Sequence, residues 1–511
     1  MMQNKKETLI NISAALVTFI VQMFISFWLS PFVVSKLGEE AYGFINLANN
    51  FVSYASLVSV SVNAMACRFI SVEYNSGKIE EAKKYFCSVF IVNCFLYIII
   101  MLIALIFIGN IQNFINVSSQ WVRQVKITFL FSFLNMGVSM IGTVYTAAAF
   151  TMNKMHKTSL VQVISNIIKS ILVFSLFMLL PSRIYFLSLA TLIAGIITFI
   201  GNYIVTQKLF SHFNIKIYYL DFHKIIRLVK SGLWVLISNI SNLLLNGFDL
   251  LLSNWFISSV IMGRLSLAKQ IPLSLSSALG IFSNIFSSSL TRIYATDEKK
   301  DLIKEAQEQL KILTIIFSVP YAGIIIVGPE FLNLWLYNSH YNTNELKEIY
   351  ILMILILLDI IISTYMYSIH SVFIALDKVR YYSIVLLIAS FISIISTIIL
   401  LKTTSLGVYA IAGTSTLILG ITHAIIVPGM AAKMLSNPIT IFWKSEIKSW
   451  ILLGILCVIF KFIKTFMKFG SWIFFAENIL ILTFIGYLIS VLSILNKSER
   501  KNLISFIKFK K

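Results

Sequence analysis

Apolar residues in this chain come in long runs, broken only by isolated polar positions, and not in the two-residue alternation of a half-buried strand. A helix needs about 20 predominantly apolar residues to cross about 30 Å of hydrocarbon. About fourteen such runs can be placed: 9–30, 42–66, 86–109, 125–150, 158–180, 184–206, 232–256, 265–290, 311–336, 349–374, 382–401, 407–428, 449–468 and 471–495. The polar stretches between them are too short for a separate soluble domain. The pattern predicts an all-α polytopic membrane protein. Lys5 and Lys6 precede the run from Leu9 to Leu29, which is too long for a signal peptide and lacks a small-residue cleavage site. It reads as the first transmembrane helix.

Charge sets the expected orientation. Of the 41 Lys and Arg, well over half fall on one side of the membrane when the loops are taken alternately. Cytoplasmic loops are the ones that retain positive charge. Both termini are therefore expected in the cytoplasm. The longest link, Gln207 to Lys230, mixes Leu209, Phe210, Phe213 and Phe222 with Lys208, Lys216, Lys224 and Arg227, as an amphipathic surface segment would.

Composition agrees: 58% of the 511 residues are hydrophobic and 12% charged, with a net charge of +20. The basic residues lie in short clusters between apolar runs, not along one continuous face, so no nucleic-acid partner is expected. Cys67, Cys87, Cys94 and Cys457 form no CxxC or Cys/His spacing, and read as buried small hydrophobes. No hydrolase triad, metal cluster or phosphate-cradling glycine run is visible. No catalytic residue, metal or cofactor is expected, and the chain is not read as an enzyme.

An internal repeat organises the chain. Gly43-Phe-Ile-Asn-Leu-Ala48 compares with Gly263-Arg-Leu-Ser-Leu-Ala268, Arg68-Phe-Ile with Arg292-Ile-Tyr, and Ile79-Glu-Glu-Ala82 with Ile303-Lys-Glu-Ala306. The order and near-constant spacing point to a duplicated six-helix unit. Residues 1–206 and 231–430 are then two lobes around a central cavity, joined by the connection 207–230. An even number of crossings relates them by an axis along the membrane normal. Residues 431–511 add two helices and a basic cytoplasmic tail. Arg68 and Arg292 read as anchors of helix ends.

Pro31-Phe-Val-Val-Ser-Lys-Leu-Gly38, then Ala41-Tyr-Gly-Phe-Ile-Asn-Leu47, Phe248-Asp-Leu-Leu-Leu252, Gly263 to Ala268 and Gly407-Val-Tyr-Ala-Ile-Ala-Gly413 resemble the polysaccharide-transporter branch of the multidrug/oligosaccharidyl-lipid/polysaccharide flippase superfamily. That group includes the Wzx-type O-antigen flippases, and the resemblance covers essentially the whole chain. Arg264 stands where the family more usually has an aromatic residue. The resemblance implies a MATE-like fold in the bacterial cytoplasmic (inner) membrane. It also implies alternating-access transport of a lipid-linked oligosaccharide repeat unit on a polyprenyl pyrophosphate, for O-antigen or capsule biosynthesis. Expected partners are membrane lipids, a polysaccharide polymerase and glycosyltransferases. Drug exporters share the architecture, so a cation-coupled small-molecule antiporter is the alternative, with a membrane-embedded polymerase or acyltransferase behind it.

Polar faces mark the expected path, because polar groups facing lipid are costly. The second helix carries Asn46, Asn49, Asn50 and Ser53, and the fifth Ser159, Gln162, Asn166 and Lys169. The seventh carries Ser238, Asn242, Asn246, Asp249 and Ser253, and the eighth Ser266, Lys269 and Gln270. Spacings of three and four keep each set on one side. Lys169, Arg264, Lys269, Asn46, Asn50, Asn242 and Asn246 are the candidate substrate-binding residues. Ammonium and guanidinium groups suit a pyrophosphate, although any of these charges could instead pair within the protein. Asp249 and Asp359 are the ion-coupling candidates, and His370 and His423 read as packing residues.

The orientation is testable with topology reporters. A fusion at Lys511 is expected to read cytoplasmic and one near Asn342 external; an external C-terminus would break the fourteen-helix scheme.

Overall fold

In the computed structural model, the described residues are 2–210, 213, 217–294, 299–339, 341–376, 378–438, 440–497, 499 and 500. Side chains at 2–6, 8, 9, 12, 64, 217, 246, 283–294, 299–302, 365, 371, 374 and 375 lie outside the description. The described residues are α-helical with short connecting turns and contain no strand. In hydrocarbon no water satisfies the peptide groups, so a spanning chain closes its hydrogen bonds within the helix.

The chain forms two compact units, residues 1–267 and 268–511. Unit 1 holds α1 (Met2–Leu37), α2 (Glu39–Asn75), α3 (Ile79–Gly109), α4 (Val122–Gly142), α5 (Ala147–Thr151), α6 (Met155–Leu179), α7 (Tyr185–Leu209), α8 (Phe222–Asn246), α9 (Phe248–Phe256) and the start of α10 (Ser259–Tyr294). Unit 2 holds the rest of α10, α11 (Lys299–Trp335), α12 (Thr343–Ala375), α13 (Val379–Thr403), α14 (Val408–Ile421), α15 (Val427–Met434), α16 (Thr440–Lys464) and α17 (Trp472–Ile494). The dividing line falls beyond residue 206, where the sequence places the end of the first lobe, and α8 packs along α2.

Twelve helical stretches among the described residues are long and apolar enough to cross a membrane, two fewer than the fourteen expected. Of the expected spans, those within α12 and α16 fall outside this set. Lys444, Glu446, Lys448, Lys461 and Lys464 break up the apolar run of α16, whereas α12 carries only Asp359 as a charged residue over 349–366 and includes side chains outside the description.

Two motif glycines set turns. Gly38, between α1 and α2, has φ +84°, and Gly407, ahead of α14, has φ +55°, a region costly for other residues. The connection 207–230 is less uniform than an amphipathic surface helix. Phe210 and Phe213 are buried against Tyr74 and Phe86, while Tyr218 and Phe222 are exposed. Lys224 pairs with Glu81, and Arg227 sits 5.0 Å from the Phe69 ring centre.

In unit 2, four prolines, Pro272, Pro320, Pro329 and Pro428, fall inside helical stretches, where each removes the N–H that would bond the carbonyl four residues earlier. At Pro320, Pro329 and Pro428 the freed carbonyl finds an aromatic donor from another helix. The Tyr487 hydroxyl of α17 donates to Ile316 O at 3.1 Å, below Pro320. The Tyr350 hydroxyl of α12 donates to Ile325 O at 2.6 Å, below Pro329. Trp443 Nε1 of α16 donates to Ala424 O at 2.7 Å, below Pro428. The last site widens the helix into a π turn over Thr422–Ile426.

A double-mutant cycle checks this pairing. Tyr487→Phe should lower the stability of the detergent-solubilised protein by about 1–3 kcal/mol, the cost of an orphaned buried acceptor. In a Pro320→Ala background, where the N–H returns, the same change should cost much less; equal losses in both backgrounds would refute the assignment.

Candidate functional site

Within unit 1 the motif residues converge where α2 meets α8, α9 and the start of α10. A Cβ built on Gly43 would lie 2.9 Å from Gly263 Cα, and one on Gly263 only 2.2 Å from Glu39 O. Both positions thus need glycine for backbones to meet. Beside them the Arg264 Nε approaches Glu39 Oε2 at 3.2 Å, with both side chains largely buried. Arg264 is therefore paired, one of the outcomes the sequence left open.

Glu40, next on the first turn of α2, binds three donors from two segments, the α3–α4 connection and the start of α10. Its carboxylate accepts from Ser118 Oγ at 2.6 Å, Ser259 Oγ at 2.8 Å and Trp121 Nε1 at 3.2 Å. Two carboxylates at a helix N-terminus also sit favourably against the helix dipole. Close by in sequence, fully buried Asn254 exchanges hydrogen bonds with Asn116. Asn116 N and Nδ2 donate to Asn254 Oδ1 and O at 2.8 Å each, and Asn254 Nδ2 donates to Asn116 O at 3.0 Å. None of these partners was legible in the sequence, because they lie more than 70 residues apart in an otherwise ordinary apolar pattern.

The seventh predicted span is interrupted at Gly247, between α8 and α9. Its carbonyl accepts from Asn50 Nδ2 at 2.9 Å and the Tyr54 hydroxyl at 2.6 Å. Asn50 is thus brought to a helix break, a kind of site at which transporters expose backbone to a path. Asn46 instead donates to its own helix at Tyr42 O, and Asn242 is exposed. The side chain of Asn246 lies outside the described residues. Asp249 Oδ1 accepts from Leu250 N at 2.9 Å in the first turn of α9.

Lys169 lies half-buried on α6, with no ion-pair partner among the described residues. One turn earlier, Asn166 Nδ2 is buried without a hydrogen-bond partner among them. Its Oδ1 accepts from Gln162 at 3.4 Å, so the polar face read from the sequence exists on α6.

Unit 2 joins residues that the sequence offered separately. Ser363 Oγ donates to Asp359 Oδ1 at 3.2 Å and lies 2.8 Å from His423 Nδ1, making a chain from α12 to the π turn. His423, read as packing, is thus aligned with an ion-coupling candidate by the Pro428 distortion. Buried Lys269, 4% exposed, lies on the part of α10 that belongs to unit 2. Among the described residues no group of three His, Cys, Asp or Glu is placed to hold a metal.

A family model described as polysaccharide biosynthesis protein matches residues 6–290, more than half of the chain. The chain belongs to that family. A Bacillus subtilis (strain 168) relative in the same size range, the uncharacterized membrane protein EpsK, is 24% identical over 463 residues, covering 91% of this chain and 90% of that protein. Among solved structures, an inward-facing multidrug resistance MATE family transporter of the MOP superfamily aligns with a TM-score of 0.70 at 13% identity, over 84% of this chain and 98% of its own. The lipid II flippase MurJ, in an inward closed conformation, aligns at 0.68 and 17% identity, over 94% and 98%. This polysaccharide biosynthesis family member therefore has the MATE/MurJ-like fold that its motifs implied, and is a multi-pass membrane protein.

Asn254 tests the contact region. Asn254→Ala removes its side-chain bonds to Asn116 and should destabilise the protein by about 1–3 kcal/mol, read as a lower thermal midpoint in detergent. An unchanged midpoint would mean that water replaces the lost partner.

Proposed function

We propose that the protein is a flippase that carries a polyprenyl-pyrophosphate-linked oligosaccharide repeat unit across the bacterial cytoplasmic membrane by alternating access, for surface polysaccharide biosynthesis. The observation that carries the cargo assignment is Lys169, an unpaired cation beside Asn166 on a membrane-spanning helix of a polysaccharide biosynthesis family member. A lysine in the middle of a span costs about 2.5–3.5 kcal/mol on insertion scales, and a neutral residue would serve packing without that cost. An ammonium offers a pyrophosphate charge-assisted hydrogen bonds. Gly43 and Gly263, equivalent in the two copies of the repeat, also touch, as residues near a shared axis do.

The second reading is cation-coupled export of small molecules. Likeness to a multidrug transporter fold favours it, and so does the Asp359–Ser363–His423 chain, which suits proton movement. The chain can equally drive a flippase. Arg264, committed to Glu39, drops behind Lys169 as a phosphate ligand.

The test uses a strain lacking the chain, complemented with variants, and measures surface polysaccharide alongside membrane protein level. Lys169→Ala should abolish output at normal abundance, and Lys169→Arg should keep part of it, since the charge stays but its geometry changes. A stable Lys169→Glu protein with full output would overturn the phosphate role. Unaltered polysaccharide in the deletion strain, together with drug sensitivity, would favour the exporter.

A further inference from the structure

Glu446 belongs to none of the sites described above. It lies near the start of α16 and is 2% exposed. Its Oε1 is buried without a hydrogen-bond partner among the described residues, and no ion pair among them involves it. It lines a cavity of about 30 Å³ inside unit 2, together with Thr314, Ser318, Ser449 and Trp450. The Thr314 and Ser449 hydroxyls lie 2.6 Å apart. Ser449 follows Glu446 by three residues, which puts both on one helix face.

An isolated carboxylate in such surroundings is neutralised by a proton, a cationic side chain or a bound ion. The nearby ammonium is engaged elsewhere: Lys311, one turn before Thr314, pairs with Glu499 at 2.8 Å and holds that carboxyl below its usual range. Lys444 and Lys448 flank Glu446 in sequence, yet neither forms an ion pair with it among the described residues. Protonation would remove the charge but leave Oε1 without a donor and the cavity unfilled. A cation satisfies both.

We propose that unit 2 binds a sodium-sized monovalent cation at Glu446, ligated by its carboxylate and by the Thr314 and Ser449 hydroxyls. Hard cations take oxygen ligands, and these three groups supply them from α11 and α16. A single carboxylate balances one positive charge, and Glu446 is the one acidic residue among the described residues lining the cavity. The cavity is of the size that holds one water-sized occupant. The site ties α16, one of the two added helices, to α11.

The experiment reads binding and is independent of what the protein transports. Purified full-length protein in detergent is melted in increasing NaCl, with choline chloride holding ionic strength constant, and ²²Na⁺ retention is measured in parallel. The thermal midpoint of the wild type should rise with the logarithm of sodium concentration, as for any ligand of the folded state. Glu446→Gln should remove that rise and weaken retention by about tenfold or more. Ser449→Ala should weaken both by less, which decides the matter if Glu446→Gln does not fold. A wild type indifferent to sodium, or either variant responding as the wild type does, overturns the proposal. So does a midpoint that follows pH and not sodium in the wild type and loses that dependence in Glu446→Gln, which would assign the neutralising charge to a proton.

Discussion

Inside hydrocarbon a peptide carbonyl without a donor has nowhere to turn, and this constraint shapes both units. At several helix interruptions a side chain from another helix reaches the freed oxygen. Asn50 and Tyr54 reach Gly247 O, where α8 gives way to α9. Tyr487, Tyr350 and Trp443 reach the carbonyls below Pro320, Pro329 and Pro428. Each of these irregularities therefore becomes an inter-helix bond, worth most where the alternative is an unmet acceptor. The final helices, α16 and α17, are held to unit 2 partly by this need.

The helical scaffold could be read from the chain because a membrane leaves few options: about 20 apolar residues per crossing mark a span whatever their identity. The glycines of the motifs were also visible, though not their reasons. Gly38 and Gly407 take left-handed φ values, whereas Gly43 and Gly263 admit another backbone. Charge in an apolar run, as in α16, blurs the count, since it reads equally as a loop or as a site.

Partners across long sequence distances were illegible. Nothing in Glu39 or Arg264 alone announces their pairing, and Ser363 and His423 looked like routine helix residues until the π turn aligned them. Glu446 was hidden differently: between Lys444 and Lys448 it resembles a solvated charge cluster ahead of a span. Only burial separates it from its neighbours, and burial depends on α11 lying against α16. Polar residues that repeat at helical spacing advertise a face; a single one beside lysines does not.

The shared acceptor at Glu40 has a consequence for how unit 1 comes apart. One carboxylate is bonded to Ser118, Trp121 and Ser259, with Glu39 holding Arg264 one residue away. Once any one of these donors is docked, the others are already local, so each later bond forms at high effective concentration. The reverse holds on release: loosening one donor leaves the rest in place to recapture it. Separation of α2 from the α3–α4 connection and the start of α10 is thus a concerted event, with a threshold in place of a gradual yield.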